Sequence, residues 1–204
     1  ALFSARGDIF TAPIENGPTR NLTKTSNAHD RAATWSPDGK QIVFISDLSG
    51  EEELYLVPQD GSAAPKALTK GNKARLYRPV WSSDGKRVVF TSTRDGDIEL
   101  YTMNLDGGDV RRITSRVGYD GGAFFSLDGS KIVFRGRHPA PGAELDDYFS
   151  LLKQAIWRPT SLELFVMDRD GSNLKQVTKL GGANFAPSWH PDGKRLIFAS
   201  NTQD

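Results

Sequence analysis

The chain has 204 residues, with 26 Lys+Arg against 25 Asp+Glu and a net charge of +1. That length suits a single domain with a real core, and the even balance excludes the strong positive field of a nucleic-acid binder. There is no cysteine, which excludes disulfides, thiolate nucleophiles and cysteine-ligated metals, and no apolar run approaches the roughly 20 residues of a membrane helix.

The N-terminus, Ala1-Leu2-Phe3-Ser4, has no basic n-region and does not read as a signal peptide. Three short strands are predicted at Leu2–Ser4, Ile9–Ala12 and Thr19–Leu22. A unit then begins that recurs along the chain. Its first hairpin reads Trp35-Ser36-Pro37-Asp38-Gly39-Lys40, then Trp81-Ser82-Ser83-Asp84-Gly85-Lys86, Phe125-Ser126-Leu127-Asp128-Gly129-Ser130 and Trp189-His190-Pro191-Asp192-Gly193-Lys194. The aromatic anchors Trp35, Trp81, Phe125 and Trp189 are spaced by 46, 44 and 64 residues. Each Asp-Gly is a hairpin signal, and each is followed by a run of Val, Ile and Phe.

The second half of the unit reads Glu53-Leu54-Tyr55, Glu99-Leu100-Tyr101 and Glu163-Leu164-Phe165. Each continues through Asp60-Gly61, Asp106-Gly107 and Asp170-Gly171 to the endings Leu68-Thr69, Ile113-Thr114 and Val177-Thr178. Asp8-Ile9-Phe10 and Leu22-Thr23 are the N-terminal copy. Four strands, A to D, in about 40–45 residues mark a propeller blade.

The expected fold is therefore all-β: a single β-propeller domain over 1–204, with four-stranded antiparallel blades and about four blades per chain. Its units are 1–30 (strands B to D), 31–74, 75–118, 119–181 and 182–204 (strands A and B). The two partial units are expected to close one composite blade, because an open edge invites aggregation. A monomeric ring is favoured over a homodimer forming one eight-bladed ring. Anchors, Asp-Gly pairs and Thr endings recur in every copy and read as scaffold.

The third full unit carries an insert at 137–159 between strands B and C. Ala143–Ile156 is predicted as a helix of about four turns, acidic at its start, with Leu145, Tyr148, Phe149, Leu152 and Ile156 on one apolar face. That face is expected to fold back on the blade, with Trp157 packed beneath it.

No catalytic arrangement is legible. There is no Gly-x-Ser-x-Gly or His-Glu-x-x-His motif, and only three histidines, His29, His138 and His190. The Asp-rich turns at Asp47, Asp95 and Asp97 lack EF-hand spacing and read as turn formers rather than Ca²⁺ ligands. No metal site, catalytic residue or cofactor is expected. Candidate binding residues lie where the copies differ, at the loops leading into strand A, which line the channel mouth in a propeller: Arg31, Tyr77, Arg78, Tyr119, Asp120, Asn184 and Phe185. The plainer alternative is that Asp30, Asp120 and the arginines form structural ion pairs. A second group, Arg135, Arg137, His138 and Arg158, makes a basic cluster beside the insert.

The repeat Trp-Ser-Pro-Asp-Gly-Lys … Glu-Leu-Tyr … Asp-Gly … Leu-Thr resembles the WD-like repeat of TolB and its relatives. The same repeat occurs in the propellers of tricorn protease and prolyl oligopeptidases. Residues 1 to about 70 look most like the tricorn type and those from about 75 on like TolB-like proteins, so a chimera, natural or engineered and without a native ligand, is an alternative. The resemblance implies a non-catalytic scaffold that binds a protein or peptide partner, with no nucleic acid and no membrane insertion. The other reading it implies is a regulatory or gating domain of a peptidase. Localisation would be periplasmic for a TolB-like protein and cytoplasmic for a tricorn-like one.

Overall fold

The computed structural model describes residues 1–202. It contains seventeen strands and one helix. A three-stranded sheet comes first, formed by β1 (Leu2–Ala5), β2 (Asp8–Thr11) and β3 (Arg20–Asn21). Three four-stranded sheets follow: β4 (Arg31–Trp35) to β7 (Lys66–Ala67), β8 (Leu76–Trp81) to β11 (Arg111–Arg112), and β12 (Tyr119–Phe125) to β15 (Lys175–Gln176). A two-stranded sheet of β16 (Asn184–Trp189) and β17 (Leu196–Ser200) comes last.

Within each sheet the strands meander in sequence order. The pairings are antiparallel, as in β5 (Gln41–Ser46) with β6 (Glu53–Pro58) and β13 (Lys131–Arg137) with β14 (Glu163–Asp168). The alternation of apolar and polar residues, broken by Asp-Gly turns, thus produces the expected blades. The D strands are only two residues long. The chain forms two compact units, Ala1–Phe90 with Thr102–Val110, and Thr91–Tyr101 with the chain from Arg111 on.

In the first unit the core gathers Ile9, Leu22, Ile42, Phe44, Tyr55 and Val57. The anchor Trp81 is buried and its indole N–H donates to the carbonyl of Thr34 in the preceding A strand at 3.1 Å. Trp35 remains 37% exposed, because the sheet before it begins at strand B and offers no A-strand carbonyl. In the second unit Trp189 donates likewise to Phe124, at 3.3 Å.

Two clasps recur and explain the constant residues. The Thr that ends each unit accepts an N–H from strand C and donates to the acid that opens it. Thr69 accepts from Leu54 at 2.9 Å and donates to Glu53. Thr114 does the same with Leu100 and Glu99, Thr178 with Leu164 and Glu163, and Thr23 with Ile9 and Asp8. In the hairpins Ser36, Ser82 and Ser126 donate to Asp38, Asp84 and Asp128, each at 2.6 Å. These bonds satisfy turn groups that would otherwise be unpaired.

Every A strand has the same defect. Three residues before the anchor, Ala32, Arg78, Gly122 and Ala186 have φ of 55°, 40°, 64° and 48°. The registers of β4, β12 and β16 against their B strands shift at this point. A bulge with a left-handed residue re-aims its neighbours at a cost that glycine largely avoids. Ala32→Gly is therefore expected to stabilise the protein by about 0.5–1 kcal/mol, read as a rise in thermal midpoint.

The insert forms a helix, α1 (Ala143–Leu152), one turn shorter than its sequence suggests. Ile156 N–H returns to the Leu151 carbonyl and Ala155 N–H to Leu152, with Ala155 at φ 57°. That Schellman closure stops the helix before Ile156. Tyr148 is buried with Ile98, Tyr119 and Leu162, and Leu152 and Trp157 pack on this cluster. Phe149 and Ile156, expected on the buried face, are exposed.

Candidate functional site

The predicted mouth residues do lie at the starts of the A strands, and each unit holds its own set. In the first unit Arg31 is committed to the scaffold. Its guanidinium donates to Glu52 at 2.7 Å and to the Leu76 carbonyl at 3.0 Å. Glu52 also accepts from the Leu76 N–H at 2.8 Å and from Arg75 at 3.1 Å. Although burial opposes it, the Leu76 N–H and the two arginines hold the Glu52 carboxyl below its ordinary range. The sequence reading missed Glu52, whose role has no motif. Tyr77 and Arg78 are exposed.

In the second unit the predicted residues divide. Asp120 and Asn184 are 1% and 0% exposed, so they face the interior rather than a partner. Five residues before the anchor, Asp30, Leu76, Asp120 and Asn184 occupy one repeat position, and all four are buried. Asp120 N–H donates to Ile98 and Asn184 N–H to Leu162, tying each A strand to the preceding C strand. His138 Nε2 lies 3.0 Å from the Asp120 carboxylate, and the pair is almost fully buried. Burial pushes the Asp120 carboxyl up, against the pull of His138. Arg31 and Asp120 thus have partners within the fold, Glu52 and His138, in place of the Asp–Arg pairs that the plainer alternative supposed. Asp30 Oδ1 and Asn184 Oδ1 have no hydrogen-bond partner among the described residues.

Three members of the basic cluster have acidic partners. Arg137 pairs with Glu144 at 2.9 Å, Arg158 with Asp147 at 3.4 Å, and His138 with Asp120. Arg137 and His138 line a cleft of about 170 Å³ with Arg116, Glu144, Glu163 and others, so its charge is mixed. Arg135 differs. It lies over the rings of Tyr119 and Phe185, with Cζ 5.9 and 5.2 Å from their centroids. Its Nε donates to the Tyr119 hydroxyl at 3.3 Å. Trp157 stacks on Tyr119, with centroids 3.9 Å apart and planes at 10°. The structure therefore joins two predicted groups, Tyr119 and Phe185 from the mouth and Arg135 from the cluster. Trp157, expected to pack, does so here.

Beneath this cluster lie buried acids. Asp97 accepts from Tyr148 of α1 and from the Gly118 N–H, the latter at 2.9 Å. Glu99 accepts from Thr114 and Arg112. Burial, reinforced by the Asp120 charge, raises Glu99 to about 7, against the pull of those two donors. In the unfolded chain the same carboxyl titrates near 4.5. Between those values the folded protein holds a proton that the unfolded chain has lost, so stability falls as pH rises from about 4.5 to 7. Glu99→Gln is expected to flatten this slope, removing on the order of 2 kcal/mol of pH dependence. Urea midpoints of both proteins at pH 5 and 7.5 check it.

No group of three or more His, Asp or Glu with metal-holding geometry occurs among the described residues. Among the described residues no helix is long and apolar enough to cross a membrane.

The family described as the TolB beta propeller domain matches residues 66–140. Among curated proteins, dipeptidyl-peptidase 5 of Porphyromonas gingivalis is 49% identical over 39 residues, which is 19% of this chain and 6% of that protein. Among solved structures, TolB from Acinetobacter baumannii aligns with a TM-score of 0.68 at 21% identity, over 93% of this chain and 42% of that one. The tricorn protease aligns with a TM-score of 0.71 at 18% identity, over 98% of this chain and 18% of that one. The chain thus spans less than half of each of these relatives. The resemblance to TolB-like repeats holds, and the fold is the all-β propeller fold that TolB and tricorn protease share. At these identities the structural matches speak to fold alone.

Proposed function

We propose that the chain is a non-catalytic binding module, taking a protein or peptide partner at the starts of its A strands. One observation carries this reading. On a scaffold whose clasps are the same in every copy, the residue just before each strained bulge is different: Arg31, Tyr77, Gly121 and Phe185. A bulge re-aims the side chain beside it, so a constant scaffold presents a different residue in each copy. Tyr77 in one unit and Phe185 in the other each offer a flat, partly exposed aromatic face of the kind that recognises peptides.

The chemistry around the histidines supports a role without catalysis. His138 spends Nε2 on a buried carboxylate, and His190 contacts Asp192 and Arg195 at the surface. Neither takes a hydroxyl as partner among the described residues. A second reading, a regulatory propeller detached from a peptidase, is favoured by the 39-residue match to dipeptidyl-peptidase 5.

The test is selection from a random peptide library on the immobilised chain, repeated on Tyr77→Ala and on Phe185→Ala. The reading expects sequences enriched on the wild-type chain and depleted on at least one variant. Selection that enriches nothing beyond an unrelated control protein would sink it. Peptides cleaved during selection would point to an enzyme instead.

A further inference from the structure

The third full copy departs from the others around strand B, and the departures fit one another. The tenth residue after the anchor is Ile45, Thr91 and Ala199 in three copies and Arg135 in this one. Ile45 and Thr91 are buried, so an arginine here needs space that the repeat does not normally provide. Glycines make that space. Gly121 and Gly122 stand where the other copies have Arg31, Tyr77 or Phe185, and Ala32, Arg78 or Ala186. A Cβ on Gly122 would lie 3.1 Å from Arg135 Nε and 3.3 Å from Cζ, and one on Gly121 would lie 2.5 Å from the Tyr119 hydroxyl. Gly136 replaces the Ser46, Ser92 and Ser200 of the other copies, and a Cβ there would lie 2.6 Å from Asp120 Oδ1.

The result is a half-buried guanidinium within cation–π reach of two rings and steadied at Nε by the Tyr119 hydroxyl. Its Nη groups contact no acceptor, and it pairs with no carboxylate among the described residues. Its neighbour Arg137 is paired with Glu144. A planar guanidinium with its two Nη groups unspent matches the planar, two-oxygen face of a carboxylate. The rings of Tyr119 and Phe185 attract the cation and shield it partly from water, which strengthens an ionic hydrogen bond at its open edge.

We infer that Arg135, beside the rings of Tyr119 and Phe185, is a carboxylate-binding site of this module. The recognised group is the free C-terminus or an Asp or Glu side chain of a peptide lying over Phe185. This deepens the binding reading and rests on it. The single copy of the device accords with a site, since scaffold features of this chain recur in each blade.

The test uses the whole chain and three probes: acetyl-Ala-Phe-Ala with a free carboxyl, the same peptide amidated, and acetyl-Ala-Glu-Phe-Ala amidated. Binding is followed by NMR at the Arg135 Nε–H and the Trp157 indole N–H. A saturable shift is expected with one or both carboxylate probes, at least about tenfold tighter than with the neutral amide. The stronger of the two identifies the source of the carboxylate. Arg135→Gln should abolish the preference, and Arg135→Lys, which keeps the charge without the planar fork, should weaken it. Equal binding of all three probes, no saturable shift, or an unchanged preference in Arg135→Gln would overturn the inference. Library peptides enriched without any carboxylate preference would leave the binding reading standing and remove only this site. If Arg135→Gln fails to fold, Phe185→Leu serves in its place, with the same loss of preference expected.

Discussion

Gly118→Ala is expected to unfold the second unit, or to lower its stability by more than about 3 kcal/mol. Gly118 has φ +134°, and an added Cβ would lie 2.1 Å from the Arg137 carbonyl oxygen and 2.9 Å from His138 Cα. Both obstacles are backbone, so no side chain can swing aside. The loop would have to leave strand B, taking with it the Gly118–Asp97 hydrogen bond and displacing His138 from Asp120. Gly193→Ala is the control. Its φ is +68° with nothing within 4 Å, so only the intrinsic left-handed penalty of about 1 kcal/mol applies. Thermal melts of the two variants should differ widely, and similar melts would refute the close approach at Gly118.

Thr114→Val should cost about 2–4 kcal/mol. The methyl groups fit the same volume, but the buried Leu100 N–H loses its acceptor and the fully buried Glu99 loses a donor. Leaving a buried polar group unpaired costs more than the net worth of the bond. Thr114→Ser keeps the hydroxyl and should lose about 1 kcal/mol at most, for one methyl group. Thr178→Val should behave like Thr114→Val, because Leu164 and Glu163 use it in the same way. Urea denaturation of the three variants measures the difference. Because the clasp recurs from Thr23 to Thr178, a large loss at each copy would establish the constant Thr endings as scaffold and leave the variable positions for function.

The blades were legible because their chemistry is local. Asp-Gly turns, Val-Ile-Phe runs and Trp anchors each act within a few residues, and the strand boundaries follow them closely. The helix end was misplaced because its stop signal is Ala155, an ordinary residue in a left-handed conformation, rather than a Gly. The A-strand bulge was hidden for the same reason, since only Gly122 among its four residues advertises a positive φ. Burial of Asp120 and Asn184 was not legible either. A polar residue in a variable loop reads as accessible until the partners of its backbone and side chain are seen, as with Ile98 and His138. Arg135 appeared in the sequence as one of four clustered charges. Only the structure shows that its three companions are paired with acids while it lies within reach of the rings of Tyr119 and Phe185.

The most direct test of the division between scaffold and recognition surface is the affinity of a library-selected peptide for Phe185→Ala, measured by fluorescence anisotropy alongside its melting temperature. The account predicts affinity at least about tenfold weaker, with the variant still folded at the temperature of the assay. Undiminished affinity in folded Phe185→Ala and folded Tyr77→Ala alike would contradict it.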